Sequence, residues 1–105
     1  MKRVLILLAV ALLTAPALWA QGDAERGQTK AALCSACHGP DGISVNPLWP
    51  SLAGQQELYL ANAIKAYRDG AREDVSMQPF VAELTDQDVE DLAAYYASLS
   101  PCPDE

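Results

Sequence analysis

A single histidine, His38, and one methionine beyond the initiator, Met77, leave this chain few ways to build a metal centre. Basic side chains are also scarce: 7 Lys and Arg stand against 14 Asp and Glu, for a formal net charge of −7. That balance disfavours nucleic acid and anionic lipid as partners and favours a basic surface on another protein, or simple solubility. No β-rich run appears, so the βαβ setting expected around a thioredoxin-like dithiol is missing. No apolar run reaches the roughly 20 residues of a bilayer-spanning helix. Only three cysteines are present, and a zinc site of soft ligands would have to draw on all of them together with His38.

The cysteines are not scattered. Cys34-Ser35-Ala36-Cys37-His38 is a C-x-x-C-H, the spacing that attaches a c-type haem. Two thiols three residues apart sit about one helical turn apart on one side of the backbone. From there both sulfurs reach the two vinyl groups along one porphyrin edge, and His38 lies under the ring with an imidazole nitrogen for the iron. Half of a zinc site and a redox dithiol use the same C-x-x-C. Zinc would need Cys102 as its fourth soft ligand, and the dithiol lacks its fold context, so covalent haem is the expectation.

The N-terminal stretch points to export. Lys2-Arg3 precedes an apolar run from Val4 to Leu13, and small residues follow at Ala15, Ala17 and Ala20. This is the layout of a secretory signal peptide, with cleavage expected after Ala20 or Ala17; the alternative is an uncleaved anchor. The expected organisation is a signal peptide at 1–20 and one domain at 21–105, located in the periplasm, with no stable membrane insertion after cleavage. In an oxidising compartment two neighbouring thiols tend to form a disulfide before meeting haem, so reductants and a ligation system are needed there.

The remainder reads as helices joined by loops. A first helix is expected over residues 23–37, delivering the cysteine pair at its C-terminal end. Residues 39–54 hold Gly39, Pro40, Gly42, Pro47, Pro50 and Gly54, which exclude regular structure. A second helix is expected over 56–69, closed by Gly70, with Leu60, Ala63, Ile64 and Tyr67 on one face. A loop from 71 to 84 carries Met77. The last helix starts at Thr85, a good N-cap, with Asp86 and Asp88 in its first turn. Its buried stripe is Val89, Leu92, Ala93, Tyr96 and Leu99, and Pro101 stops it. The fold class is all-α.

A haem held by His38 has a second axial position. Met77 lies in a loop between Ser76 and Gln78 and just before Pro79, an odd place for a core gap-filler. A thioether there raises the reduction potential and closes the iron to small ligands, which suits electron transfer.

These pieces together resemble a class I cytochrome c, of the short bacterial periplasmic mono-haem type that is similar to one half of di-haem cytochromes c. The resemblance rests on Gly22-Asp23 and Gly27, Cys34-x-x-Cys37-His38-Gly39, Asp41-Gly42, Pro50-x-Leu52-Ala53-Gly54-Gln55, Tyr59-Leu60, Met77 and Leu84-Thr85-x-x-Asp88, and on the run from Leu92 to Tyr96. It implies a small cytochrome c fold, three or more short helices around one covalently bound haem c. It also implies close crossing of the terminal helices, Gly27 meeting Tyr95 or Tyr96. A proline carbonyl accepts the hydrogen bond of the proximal histidine; Pro50 is the candidate and Pro47 the alternative. The implied site is therefore Cys34 and Cys37 as thioethers, His38 and Met77 as axial iron ligands, and Pro50 behind His38, with no catalytic residue.

Tyr59 and Tyr67 either line the haem pocket or pack as ordinary residues of an amphipathic helix, and the second is the simpler reading. Arg68 and Arg72 either meet haem propionates or form surface ion pairs. Trp49 is placed to shield a ring edge. Cys102, in Pro101-Cys102-Pro103, is left over after haem attachment and is either a free thiol or a disulfide link to a partner. The function expected is single-electron transfer between redox partner proteins with basic docking patches. The alternatives are a haem subunit of a larger periplasmic oxidoreductase, and a ligand sensor or peroxidase with an open sixth position.

Overall fold

A computed structural model describes residues 4–7, 9–11 and 22–102. The expected cleavage positions after Ala17 and Ala20 lie outside them. Five helices follow in order, and no strand occurs among the described residues: α1 Ala24–Lys30, α2 Ala32–His38, α3 Glu57–Asp69, α4 Gln78–Val81 and α5 Asp86–Ser98. None is long and apolar enough to cross a membrane.

The start of α1 is set by Asp23, whose carboxylate accepts the Arg26 N–H at 2.9 Å, and Glu25 complements the dipole in its first turn. The single helix expected over 23–37 is two. Ala31 interrupts it with ψ −4°, well off the helical value near −42°, and its N–H is shared between the carbonyls of Gly27 (2.9 Å) and Gln28 (3.3 Å). The turn is tightened locally without the glycine or proline that usually marks a break.

Thr85 and Asp88 open α5 with a reciprocal capping box. Asp88 N–H donates to the Thr85 hydroxyl and Thr85 N–H to the Asp88 carboxylate, both at 3.0 Å. The apolar stripe of α5 then goes where its periodicity predicts: Val89, Leu92, Ala93 and Tyr96 are buried, with Leu99 packed against them. Leu60 and Ala61 of α3 and Ala31 complete this core.

Helices α1 and α5 cross in close contact. A Cβ on Gly27 would stand 2.0 Å from the Asp91 carbonyl oxygen and 2.7 Å from Tyr95 Cβ, so only glycine fits there. Tyr95, rather than Tyr96, is the aromatic at this crossing. Gly22 makes a similar contact with the Glu90 carbonyl.

A charged hub ties the same two helices. Asp91, fully buried, accepts hydrogen bonds from Asp23 N–H (2.8 Å), Arg26 Nε (3.1 Å), Lys30 Nζ (2.6 Å) and Gln87 Nε2 (2.8 Å). Burial by itself would raise the Asp91 carboxyl. The bonds from Arg26, Lys30, Asp23 and Gln87 outweigh it and hold the group well below the usual carboxylate range.

Candidate haem-binding site

The C-terminal end of α2 gathers three of the expected ligands. Cys34 and Cys37 are free thiols, both half-buried, and His38 is buried at the last helical position. Gly39 follows at φ 89°, where a Cβ would collide with the Ile43 carbonyl oxygen at 1.9 Å. The chain can therefore turn sharply and bring the 39–54 loop back over His38.

Pro50 in that loop places its carbonyl oxygen 2.7 Å from His38 Nδ1. A carbonyl only accepts, so Nδ1 carries the proton and the other ring nitrogen, Nε2, keeps its lone pair for a ligand bond. The loop is pinned just beyond by Leu52 N–H and Ala53 N–H donating to the Gly42 carbonyl, at 2.7 and 3.0 Å. Such an acceptor fixes both the tautomer and the orientation of the imidazole.

Cys34, Cys37, His38 and Met77 all line one cavity of about 420 Å³, within the range of small-molecule and cofactor pockets. Leu52 and Leu60, with Ile64, Val81, Leu84 and Leu92, give it apolar walls. Met77 enters from the segment before α4 and is half-buried. Its turn is organised by Asp74, whose carbonyl accepts from Met77 N–H (3.2 Å) and Gln78 N–H (3.0 Å). The Asp74 carboxylate also takes the Ser76 hydroxyl and the Ser76 N–H, the latter at 2.9 Å, and these bonds lower its pKa. The loop expected over 71–84 thus contains a short helix, α4, with Pro79 in its first turn, where the missing N–H costs nothing.

Two thiols, an imidazole nitrogen with its tautomer set, and a thioether around an apolar space of this size fit a haem. The other readings of the C-x-x-C fare worse. Burial pushes the Cys34 thiol up, the reverse of what a reactive dithiol requires. Cys102 lies exposed beyond α5, and no group of three or more His, Cys, Asp or Glu is arranged for a metal ion among the described residues.

Tyr59 and Tyr67 of α3 both line the cavity, as does Trp49. Tyr59 is also exposed, and the Arg72 guanidinium stacks over the Tyr67 ring at 4.6 Å. Arg68 is committed elsewhere, to Asp69 and Asp86, both at 2.8 Å. Two features were not anticipated from the sequence: the Asp74 anchor of the Met77 turn, and Tyr96, which lines this space and whose hydroxyl is buried without a partner. An Asp three residues ahead of the methionine was the available signal for the first.

Comparison with known proteins points to one family. The cytochrome c family model matches residues 24–100. Cytochrome c-554(548) of Halomonas halodenitrificans is 48% identical over 80 residues, covering 73% of this chain and 96% of that protein. The crystal structure of reduced cytochrome c4 from Pseudomonas stutzeri superposes with a TM-score of 0.72 at 43% identity, covering 75% of this chain and 46% of that one. A thiosulfate dehydrogenase electron acceptor of Thiomonas intermedia is 40% identical over 105 residues, covering 96% of this chain and 46% of its own length. The chain therefore spans nearly all of the first relative and under half of the other two.

Proposed function

This chain belongs to the cytochrome c family, whose members carry covalently bound haem c, and on that premise we propose that it is a periplasmic single-electron carrier. The bound haem supplies one-electron redox chemistry at its iron. Cys34 and Cys37 would hold it covalently, His38 and Met77 would ligate its iron, and Pro50 would orient His38. Residues 1–20 act as the export signal and 21–105 as the haem domain.

The observation that carries this reading is the meeting of Cys34, Cys37, His38 and Met77 around one apolar cavity, with the Pro50 carbonyl on His38 Nδ1. The chain's own residues do three things there. The apolar walls exclude water, which keeps the charge of either oxidation state from drawing in solvent. Ligands anchored on both α2 and the Asp74 turn move little when the electron arrives or leaves. The acidic surface steers the protein toward a partner presenting basic side chains, and any covalent tie to a partner would run through Cys102, the exposed free thiol.

Expression with a c-haem ligation system tests the proposal. Haem that stays on the chain through denaturing electrophoresis, and leaves it in a Cys34→Ala/Cys37→Ala double variant, supports it. A colourless chain under the same conditions would end it.

A second reading is favoured by the relative described as an electron acceptor of thiosulfate dehydrogenase: this chain as the haem subunit of a periplasmic oxidoreductase. A stable complex that survives gel filtration with its donor enzyme supports the subunit; a monomer that is reduced only in passing supports the shuttle.

A further inference from the structure

Tyr96 sits in the core on the cavity side of α5, only 2% exposed. Its ring packs among residues that Cys34 also contacts. Its hydroxyl is sealed from solvent and has no hydrogen-bond partner among the described residues. A buried donor left without an acceptor is a cost that native structures rarely carry, and each instance calls for an explanation. Ser35 donates its hydroxyl proton to the Ala31 carbonyl at 2.9 Å, which leaves its oxygen as the competing acceptor. Burial first, and then the neighbouring Cys34, push the Tyr96 hydroxyl well above its ordinary range. A tyrosine hydroxyl keeps its proton at neutral pH and has one to donate.

The candidate acceptor is the Cys34 sulfur, whose competing S–H haem attachment would remove. In the free chain Cys34 carries an S–H and is itself a weak donor. When its sulfur adds across a vinyl group, the S–H bond breaks and an S–C bond forms. The proton goes to the adjacent vinyl carbon, and no external oxidant or reductant is needed. The sulfur is left with lone pairs only. Cys34, and not Cys37, is the thiol packed against the core that contains Tyr96.

We propose that the Tyr96 hydroxyl donates a hydrogen bond to the Cys34 sulfur once that sulfur is a haem thioether, which makes Tyr96 a positioning residue of the cofactor site. The inference rests on the reading of Cys34 as a haem attachment residue. It gives the buried hydroxyl its missing partner. It also holds the Cys34 edge of the ring at a fixed distance from α5, and so couples the haem to the helix that forms most of the core.

The test uses the haem-loaded full chain and its Tyr96→Phe variant, which keeps the ring and removes only the hydroxyl. Resonance Raman spectra of the C–S stretch are recorded in H₂O and D₂O, with the reduction potential measured on the same samples. The expected result is a C–S band that shifts on deuteration in the parent and does not shift in Tyr96→Phe. The potential should also be lower in the variant, because a donor on the thioether withdraws electron density and favours the reduced state. A C–S band indifferent to both deuteration and the substitution overturns the proposal; a hydroxyl turned to Ser35 would give that result. Haem absent from both proteins after denaturing electrophoresis would overturn the attachment reading together with it, so the two failures are told apart by one gel.

Discussion

Lys30 and Asp91 meet at 2.6 Å across the contact between α1 and α5. The carboxylate is fully buried, while the lysine keeps about a quarter of its side chain in water. Asp91 also carries the Arg26, Asp23 and Gln87 bonds, so its removal takes the acceptor from the Asp23 N–H and the Gln87 amide, while Lys30 keeps Asp88 at 2.7 Å and Arg26 keeps Asp23. Asp91→Ala is expected to destabilise the haem-loaded protein by about 2 kcal/mol, since part-buried donors lose their acceptor while the cations keep a second carboxylate each. Guanidinium denaturation followed by far-UV circular dichroism measures it. A loss below about 1 kcal/mol would show that solvent replaces the cluster without penalty.

The same carboxylate sets an acid limit. Its folded pKa is lowered by Arg26 and Lys30 against burial, while in the unfolded chain it titrates near the ordinary value of about 3.9. A lowered folded pKa contributes stability that is fully present above the unfolded value and is lost as pH falls below it. Stability should therefore decline from about pH 5 downward. Denaturation midpoints measured at several pH values should fall less steeply in Asp91→Asn than in the parent, and parallel curves would assign the acid limit to other groups.

Gly27→Ala places a methyl group on the Asp91 carbonyl, 2.0 Å from its oxygen. Backbone on both sides has to move, so the cost is expected at the upper end of overpacking, about 3 kcal/mol. Ala is the better helix former, and a gain in stability would mean that the two helices are not held as close as described. Thermal melting of the haem-loaded variant decides between them.

Asp74→Ala removes the carboxylate that fixes Ser76 while leaving Met77 in place. The expectation is a protein that binds haem normally but releases the methionine ligand at lower temperature, and on acidification at a higher pH, than the parent. Temperature-dependent spectra of the oxidised protein report this directly. Identical transitions in both proteins would show that the turn is held by backbone bonds alone.

How much of this could be read from the residues differs by element. The C-x-x-C-H, the Thr85 cap and the α5 stripe are local patterns, and each has one dominant physical meaning. The break at Ala31 left no trace in composition, because it arises from backbone bonds shared between Gly27 and Gln28 rather than from a helix-breaking residue. Asp91 was equally hidden: an acid beside Leu92 looks solvated until Arg26, Lys30 and Asp23, more than 60 residues earlier in the chain, fold against it. Tyr59 and Tyr67 fit ordinary helix periodicity, and only the folded cavity distinguishes a wall from a packed face. Pro50 and Pro47 were separated by the return path of the loop, which brings the Pro50 carbonyl onto His38.

The carrier proposed here has Met77 as the second iron ligand of a haem held by Cys34, Cys37 and His38. The most direct measurement is the oxidised absorption spectrum of the haem-loaded parent beside Met77→Ala. A methionine-to-iron charge-transfer band in the parent that vanishes in the variant, with carbon monoxide binding gained only by the variant, is the predicted result. A high-spin parent that binds carbon monoxide as readily as Met77→Ala would contradict it.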